Sequence, residues 1–275
     1  EVMTVDRGQK LTTFTITNQK GGVGKTTTAV NLAAAWHAMQ KRVCLVDSDP
    51  QGNASSGCGI SRLAQRPSLK ELLLGETPID EVICKSEAGF DIIPSQQSLT
   101  VAEVRLLQMT RREHRLYNIL QQLEGRYDYV IIDSPPSLNI LTVNALVAAQ
   151  FVIIPVQCEY YALEGLTDLL KNIEHLRRAL SCSLSVAGIL RTMYDGRNRL
   201  THEVSAELQK HFSEQVYHTV IPRNIRLAEA PSYGKPAICY DAKAQGSIAY
   251  LALASEILRK LETETRLAAE TVATI

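Results

Sequence analysis

Runs of apolar residues recur along the chain and predict strands. Most of these runs are uninterrupted rather than alternating with polar positions, which is typical of strands buried on both faces of a parallel sheet. The predicted strands are Phe14–Thr17, Val43–Val46, Phe90–Ile93, Tyr129–Ile132, Phe151–Ile154, Val186–Leu190 and Thr219–Ile221.

Helix-like segments separate several of these strands, and such an alternation indicates right-handed crossovers between parallel strands. The chain is therefore predicted to be α/β, a three-layer sandwich with a mostly parallel central sheet. Residues 13–265 are expected to form one domain between an N-terminal extension (1–12) and a C-terminal tail (266–275), with Pro222–Gly246 as the most loop-like region. The predicted helices are Thr26–Met39, Leu69–Leu74, Arg111–Leu123, Leu138–Ala149, Gly165–Leu180, Thr201–Phe212 and Ser247–Thr265.

One stretch is long enough to cross a bilayer, because no charged residue occurs between Asp133 and Glu159. It contains three prolines and several amide side chains, which a membrane span rarely carries. A short helix followed by a buried strand is the better interpretation.

Composition narrows the class of protein. With 45% hydrophobic and 21% charged residues, the chain of 275 residues is an ordinary globular protein that can bury a core of its own. The formal net charge is +0, so contact with nucleic acid requires a local basic patch. The six cysteines show no metal-ligand spacing, and the first ten residues contain no apolar run, so a reduced, cytoplasmic protein is expected.

The sharpest motif is a glycine-rich loop, Lys20–Thr27, between the first predicted strand and the first predicted helix. This is the context of a phosphate-binding loop in a P-loop NTPase-like fold. Its glycines allow the backbone N–H groups to approach phosphates, and the helix N-terminus adds partial positive charge. Lys25 would contact the β- and γ-phosphates, and the Thr26 hydroxyl would hold Mg²⁺.

The loop departs from the strict GxxxxGK[ST] pattern at its start. Gln19 stands where the first glycine should be, and Lys20 follows it. A second lysine cannot easily serve the same phosphates as Lys25, because the two charges would repel each other. Lys20 is therefore predicted to neutralise phosphate charge on the nucleotide of a neighbouring subunit.

Three aspartates follow predicted strands. Asp47 and Asp49 end the strand Val43–Val46, and Asp133 ends the strand Tyr129–Ile132. The carboxyl ends of parallel strands line the crevice in which open α/β sheets bind ligands. Asp47 lies two residues before Asp49, on the same side of the strand, where it is placed to support the metal or Lys25.

Taken together, the motifs resemble those of the ParA/Soj class of partition ATPases, which carry a deviant Walker A loop and belong to a wider group that includes MinD. The resemblance extends from about Thr13 to about Leu261. It is carried, in order, by the blocks Asn18–Thr27, Val46–Asn53, Asp133–Ser137, Pro155–Gly165 and Ile221–Pro231.

The resemblance implies an ATPase that uses ATP and Mg²⁺. Asp133 matches the Walker B aspartate of the metal site, shared with Thr26 and Asp47, and Asp49 matches the aspartate that positions the attacking water. Lys20, Lys25 and Asp49 are the implied catalytic residues. The implied nucleotide-binding residues are Lys20, Gly21, Gly22, Val23, Gly24, Lys25, Thr26 and Thr27, with Pro222 and Asn224 beside the adenine.

DNA binding is implied by the resemblance rather than by charge. Residues 191–243 contain eight Lys or Arg against six Asp or Glu, which on its own favours a solvated surface. Arg197 and Arg226, however, match positions tied to non-specific DNA binding in Soj-like proteins. The implied cycle has an ATP-dependent homodimer on double-stranded DNA, released when a ParB-type centromere-binding protein stimulates hydrolysis. The protein is then expected to be cytoplasmic and nucleoid-associated.

Three alternative functions occur in the same superfamily. MinD-like membrane-cycling ATPases end in a basic amphipathic helix, whereas Ser255–Ile275 carries three basic and four acidic residues, so no membrane partner is expected. Reductase ATPases or metal-cluster carriers depend on clustered cysteines, which this sequence does not contain. A positioning ATPase for another cargo would share the same ATP and DNA chemistry and stays open.

Overall fold

The central sheet of the computed structural model, which describes residues 10–61 and 65–273, has eight strands in the order β3-β4-β2-β5-β1-β6-β7-β8. Only the β3–β4 pair is antiparallel. The predicted α/β sandwich with a mostly parallel sheet is therefore confirmed. The strands are β1 Thr12–Ile16, β2 Val43–Asp47, β3 Cys84–Lys85, β4 Asp91–Ile93, β5 Tyr129–Asp133, β6 Phe151–Gln157, β7 Ser185–Tyr194 and β8 Val216–Pro222.

Successive residues of the central strands bury their side chains in different cores. Val43 and Leu45 of β2 belong to one apolar cluster, and Cys44 and Val46 belong to a second cluster on the other face. This two-residue period fills both faces of the sheet, which explains why these strands are apolar without interruption.

Helices cover both faces and complete the three layers. On one face α1 packs against α12, where the Trp36 indole N–H donates to the Ala254 carbonyl at 3.2 Å and Tyr250 bonds the Thr28 hydroxyl at 3.0 Å. The helices are α1 Lys25–Ala38, α2 Asn53–Gly57, α3 Leu69–Leu74, α4 Ile79–Val82, α5 Leu99–Leu106, α6 Arg115–Leu120, α7 Ile140–Ala148, α8 Ala162–Leu180, α9 Arg199–Phe212, α10 Ile225–Glu229, α11 Ala237–Tyr240 and α12 Gln245–Ala273.

Two segments differ from their predictions. The region Pro222–Gly246 was expected to be loop-like but contains α10, a 3₁₀ turn at Ala230–Tyr233 and α11. The predicted helix Arg111–Leu123 starts one residue later, after Arg111 with its left-handed φ of 50°, and is α-helical only over α6, with 3₁₀ turns at Arg112–His114 and Gln121–Leu123. Short helices without a repeated apolar period give a weak sequence signal.

The uncharged stretch between Asp133 and Glu159 forms α7 and β6, as predicted. Within the described residues, the helices are too short or too polar to span a bilayer.

All six cysteines are free thiols, of which Cys44, Cys58 and Cys158 are buried and Cys239 is exposed. The division of the chain at residues 13 and 265 stays a prediction.

Candidate nucleotide site

The glycine-rich loop joins the end of β1 to the start of α1. Gly22 and Gly24 adopt positive φ angles of 75° and 89°, a conformation that favours glycine over residues with a side chain. Gly24 immediately precedes the first residue of α1, so the free N–H groups of the helix begin at the loop. The local backbone is that of a phosphate-binding loop.

Lys25 lies inside this loop and is buried. Its Nζ donates to the Lys20 carbonyl at 3.0 Å. Burial lowers the pKa of Lys25, although the negative charges of Asp133 and Asp49 act in the opposite direction. The ammonium group is thus held beside the two carboxylates at the mouth of the loop.

Thr26 and Asp133 are joined across the site. The Thr26 hydroxyl donates to one carboxylate oxygen of Asp133 at 2.8 Å. The other oxygen, Oδ1, is buried and has no hydrogen-bond partner among the residues that the structure describes. Burial, followed by the nearby charge of Asp47, raises the pKa of Asp133 well above its ordinary value. An unsatisfied oxygen beside a hydroxyl fits the oxygen ligands that Mg²⁺ prefers, directly or through water.

Asp47 is fully buried and already engaged. One of its oxygens accepts hydrogen bonds from the Ser55 N–H and hydroxyl, both at 2.7 Å, and the other accepts the Asp49 N–H at 3.2 Å. Burial raises the pKa of Asp47 to about 6 against the lowering effect of the Ser55 hydrogen bonds. These contacts fasten the start of α2 to the end of β2, a positioning function that the sequence did not predict. The expected support of the metal stays a prediction.

Asp49 lies where the chain leaves β2 and is nearly buried. Its side chain accepts the Gln51 N–H at 2.9 Å, and its carbonyl accepts the Ser95 hydroxyl at 2.7 Å. Asp49 contributes to the electrostatic environment of both Lys25 and Asp133. The structure therefore brings together the three aspartates that follow β2 and β5.

Lys20 is arranged differently from Lys25. Its side chain is half-exposed and forms an ion pair with Glu159, which follows β6 in the same chain. Its N–H donates to the Asn18 side chain at 3.0 Å, and Asn18 in turn donates to the Pro155 carbonyl at 2.7 Å. Lys20 therefore faces out of the loop, toward the end of β6. The pairing with Glu159 was not predicted, because nothing in the spacing of 139 residues indicates it.

A cavity of about 200 Å³ lies beside the loop, between α1, the end of β7 and the start of α10. Pro222 and Asn224 line it, and their expected place beside the adenine stays a prediction. The Asn224 oxygen accepts the Arg226 N–H at 3.1 Å and caps α10, which leaves the amide NH₂ group for a ligand. Thr192, Met193 and Tyr250 also line the cavity and were not predicted.

The two arginines expected to bind DNA lie at the surface, Arg197 in the turn after β7 and Arg226 in α10, and both are paired with carboxylates. Arg197 is almost fully exposed and bonds Asp195 at 3.1 Å. Arg226 bonds Glu229 at 2.8 Å and Asp241 at 3.4 Å. Exposed pairs of this kind are weak and exchange partners readily.

Comparisons with known proteins agree with this geometry. A family model described as an AAA domain matches residues 11–186. The chromosome partitioning protein ParA of Caulobacter vibrioides is 49% identical over 253 residues, which cover 91% of this chain and 95% of that protein. The sporulation initiation inhibitor protein Soj of Bacillus subtilis is 49% identical over 243 residues, covering 88% of this chain and 96% of that protein.

A solved structure shares both the fold and the kind of ligand expected here. Cobyrinic acid a,c-diamide synthase from Mycobacterium smegmatis, with a bound ATP analog and magnesium, superposes with a TM-score of 0.82. It is 33% identical, and the match covers 92% of this chain and 97% of that one. The higher identity to the partition proteins, over nearly all of the chain, decides the family. The chain belongs to the ParA/Soj family of chromosome-partitioning ATPases, as its sequence motifs predicted.

Proposed function

We propose that this protein is a DNA-segregation ATPase in which Mg-ATP drives a sandwich dimer that binds duplex DNA without sequence preference. Hydrolysis, stimulated by a ParB-type partner, releases the dimer from the nucleoid. The observation that carries the proposal is the contrast between two lysines of one loop. Lys25 is buried inside the phosphate loop, whereas Lys20 is exposed and directed away from it.

Within one subunit, the residues of the site divide the work of phosphoryl transfer. Lys25 and the loop N–H groups bind the phosphates, and Asp49 orients the attacking water. Thr26 and Asp133 would hold Mg²⁺, which neutralises charge on the phosphate oxygens when it is bound. Asp47 keeps the segment that carries Asp49 in place through Ser55. Such a reaction needs positioning and charge neutralisation more than covalent chemistry.

Lys20 completes the site only in a dimer, in the manner of an arginine finger. To reach a neighbouring nucleotide it must leave Glu159, and an exposed ion pair costs only about 0.2–1 kcal/mol to separate. The Lys20→Ala variant is expected to bind ATP nearly as wild type does but to remain monomeric in light scattering. Lys171→Ala, which removes another exposed, paired lysine, should dimerise normally. A Lys20→Ala protein that dimerises with ATP would contradict the cross-subunit role.

DNA binding is proposed to depend on dimerisation. With a net charge of +0, and with Arg197 and Arg226 each paired to carboxylates, a monomer is expected to bind duplex DNA only weakly. A two-fold dimer brings a second copy of each arginine into one assembly. Because affinity depends on the number of phosphates engaged, binding should rise steeply with ATP and fall steeply with salt.

The decisive experiment is a DNA retardation assay at several salt concentrations with Mg-ATP or Mg-ADP. Wild type should bind duplexes of unrelated sequence with ATP and only weakly with ADP. The double variant Arg197→Glu with Arg226→Glu should lose binding and still dimerise. Arg105→Glu with Arg178→Glu makes the same change of charge at two other exposed, paired arginines and should retain binding. Equal binding with ATP and ADP, or full binding by the first double variant, would overturn the proposal.

A further inference from the structure

A threonine on β7 makes two contacts with the phosphate loop. The Thr192 hydroxyl donates to the Val23 carbonyl at 2.8 Å, and both residues are almost completely buried. The Thr192 methyl group lies 3.8 Å from the position that a Cβ atom on Gly24 would occupy. The Thr192 hydroxyl therefore holds the Val23 carbonyl from the side of β7, and the methyl group lies next to the space beside Gly24.

The hydrogen bond fixes the direction of one peptide group. In a trans peptide the carbonyl of one residue and the N–H of the next point in opposite directions. Because the Val23 carbonyl points at Thr192, the Gly24 N–H points away from β7. Gly24 has a φ of 89° and lacks a side chain, so its own conformational freedom would otherwise allow this peptide to rotate.

The direction of that N–H matters because loop N–H groups of this kind cradle the α- and β-phosphates. We propose that Thr192 is a positioning residue for nucleotide binding, which holds the Val23–Gly24 peptide in the orientation that presents the Gly24 N–H to the phosphates. The inference rests on the proposed ATPase site and extends it to a residue on a strand 169 positions away in sequence.

No water replaces the hydroxyl readily, since Val23 is 1% and Thr192 2% exposed. Removal of the hydroxyl therefore leaves a buried carbonyl without its partner, which favours rotation of the peptide. Strand β7 itself is held on both sides, by parallel pairing with β6 and β8, so the hydroxyl has a rigid base. The sheet thus orients the Val23–Gly24 peptide, whereas the Lys20 end of the loop is held by Lys25 and Asn18.

The test compares Thr192→Val, which keeps the shape and removes the hydroxyl, with Thr192→Ser, which restores it. Thr192→Val should raise the Kd for both ATP and ADP about tenfold in isothermal titration, because both nucleotides carry the β-phosphate. KM for ATP should rise in parallel while kcat at saturating ATP stays within about twofold. Thr192→Ser should return the Kd to within about threefold of wild type.

Ser86→Ala is the matched control for a merely structural effect. Ser86 is buried and donates its hydroxyl to the Phe90 carbonyl at 2.9 Å, between β3 and β4. This variant should lose thermal stability to a similar extent and keep wild-type Kd values. Wild-type affinity in Thr192→Val, or a Kd that rises equally in Ser86→Ala, would overturn the positioning role. Failure of the wild-type protein to bind nucleotide would instead contradict the proposed function itself.

Discussion

Strand β5 carries an aspartate at each end, and the two have opposite electrostatic surroundings. Asp128, just before the strand, accepts hydrogen bonds from the Arg42 N–H at 2.8 Å and from its guanidinium at 2.6 and 3.1 Å. Burial tends to raise the pKa of Asp128, but the Arg42 hydrogen bonds outweigh it and lower the pKa. At the other end, burial beside Asp47 raises the pKa of Asp133.

The different surroundings indicate different roles for the two carboxylates. The charge of Asp128 is compensated within the chain, so its ionised form stabilises the fold. The charge of Asp133 is compensated only in part, by the Thr26 hydroxyl and Lys25, and one oxygen has no partner among the described residues, so we expect the fold to be less stable than it would be with a neutral group there. A cation bound at this end would supply the missing compensation. Substitutions at the two ends should therefore act in opposite ways.

The largest effect is expected from substitution of Lys25, the buried cation at the nucleotide end of the sheet. Lys25→Ala removes the buried ammonium that would contact the phosphates, and hydrogen bonds to charged groups contribute about 1.5–3 kcal/mol each. Affinity for ATP should fall at least about 100-fold in isothermal titration. The Lys41→Ala variant, at the other end of the sheet, should keep wild-type affinity. Tight ATP binding by Lys25→Ala would move the phosphate site elsewhere.

The second prediction separates binding from turnover at the same end. Asp49→Ala should bind Mg-ATP with near-wild-type affinity but release phosphate about 100-fold more slowly, because the water loses its orienting group. Under the proposed cycle it should accumulate as a DNA-bound dimer. Phosphate release at the wild-type rate would shift this role to another residue, with Asp47 the next candidate.

The third prediction tests directly whether substitutions at the two ends of β5 change the stability of the protein in opposite directions. Asp133→Asn should weaken Mg²⁺-dependent ATP binding about 10- to 100-fold, the usual loss for a metal-site partner. The same substitution should raise the Tm of the nucleotide-free protein in EDTA by about 2–4 °C, because it neutralises a buried charge that is compensated only in part. A lower Tm together with unchanged Mg-ATP affinity would assign Asp133 a structural role like that of Asp128.

The smallest effect is expected at the other end of β5. Asp128→Asn should lower the free energy of unfolding by about 1–2 kcal/mol at pH 7 without changing ATP affinity. Since the folded-state pKa of Asp128 is depressed, its ionised form stabilises the protein above the ordinary aspartate pKa. That contribution is lost as the pH falls through the folded-state pKa. The difference between wild type and variant should therefore shrink below about pH 4 in urea unfolding.

Much of the fold could be predicted from the sequence because the strands are buried on both faces. All seven predicted strands overlap observed ones, and the last of them, Thr219–Ile221, lies within β8. Helix α2 was missed because Asn53–Gly57 consists of small and polar residues without an apolar period. Helix α5 was missed although its buried Leu99, Ala102 and Leu106 follow a helical spacing that could have indicated it.

The site was predicted where neighbours in sequence are also neighbours in space. The loop fixes Lys25 and Thr26, and strand ends fix Asp49 and Asp133. The contact of Asp47 with Ser55 is made within the connection from β2 to α2 and depends on how that short segment folds. The contacts of Lys20 with Glu159 and of Val23 with Thr192 depend on which loops the sheet order brings together. No local pattern encodes these two contacts, since the carboxyl ends of β1, β6 and β7 meet only after the crossovers have formed.

The cysteines differ in exposure, which allows one of them to be labelled selectively. Burial raises the pKa of Cys158 to about 11 and also raises the pKa of Cys44 and of Cys58, so their thiolate forms are scarce and shielded from reagents. Cys239 is exposed on α11, two residues before Asp241, which pairs with Arg226. Partial burial raises the pKa of Cys239 as well, but it is the one exposed thiol among the six, all of which lie in the described part of the chain. A maleimide fluorophore should therefore attach first at Cys239, and its emission would report when the surface around Arg226 becomes covered.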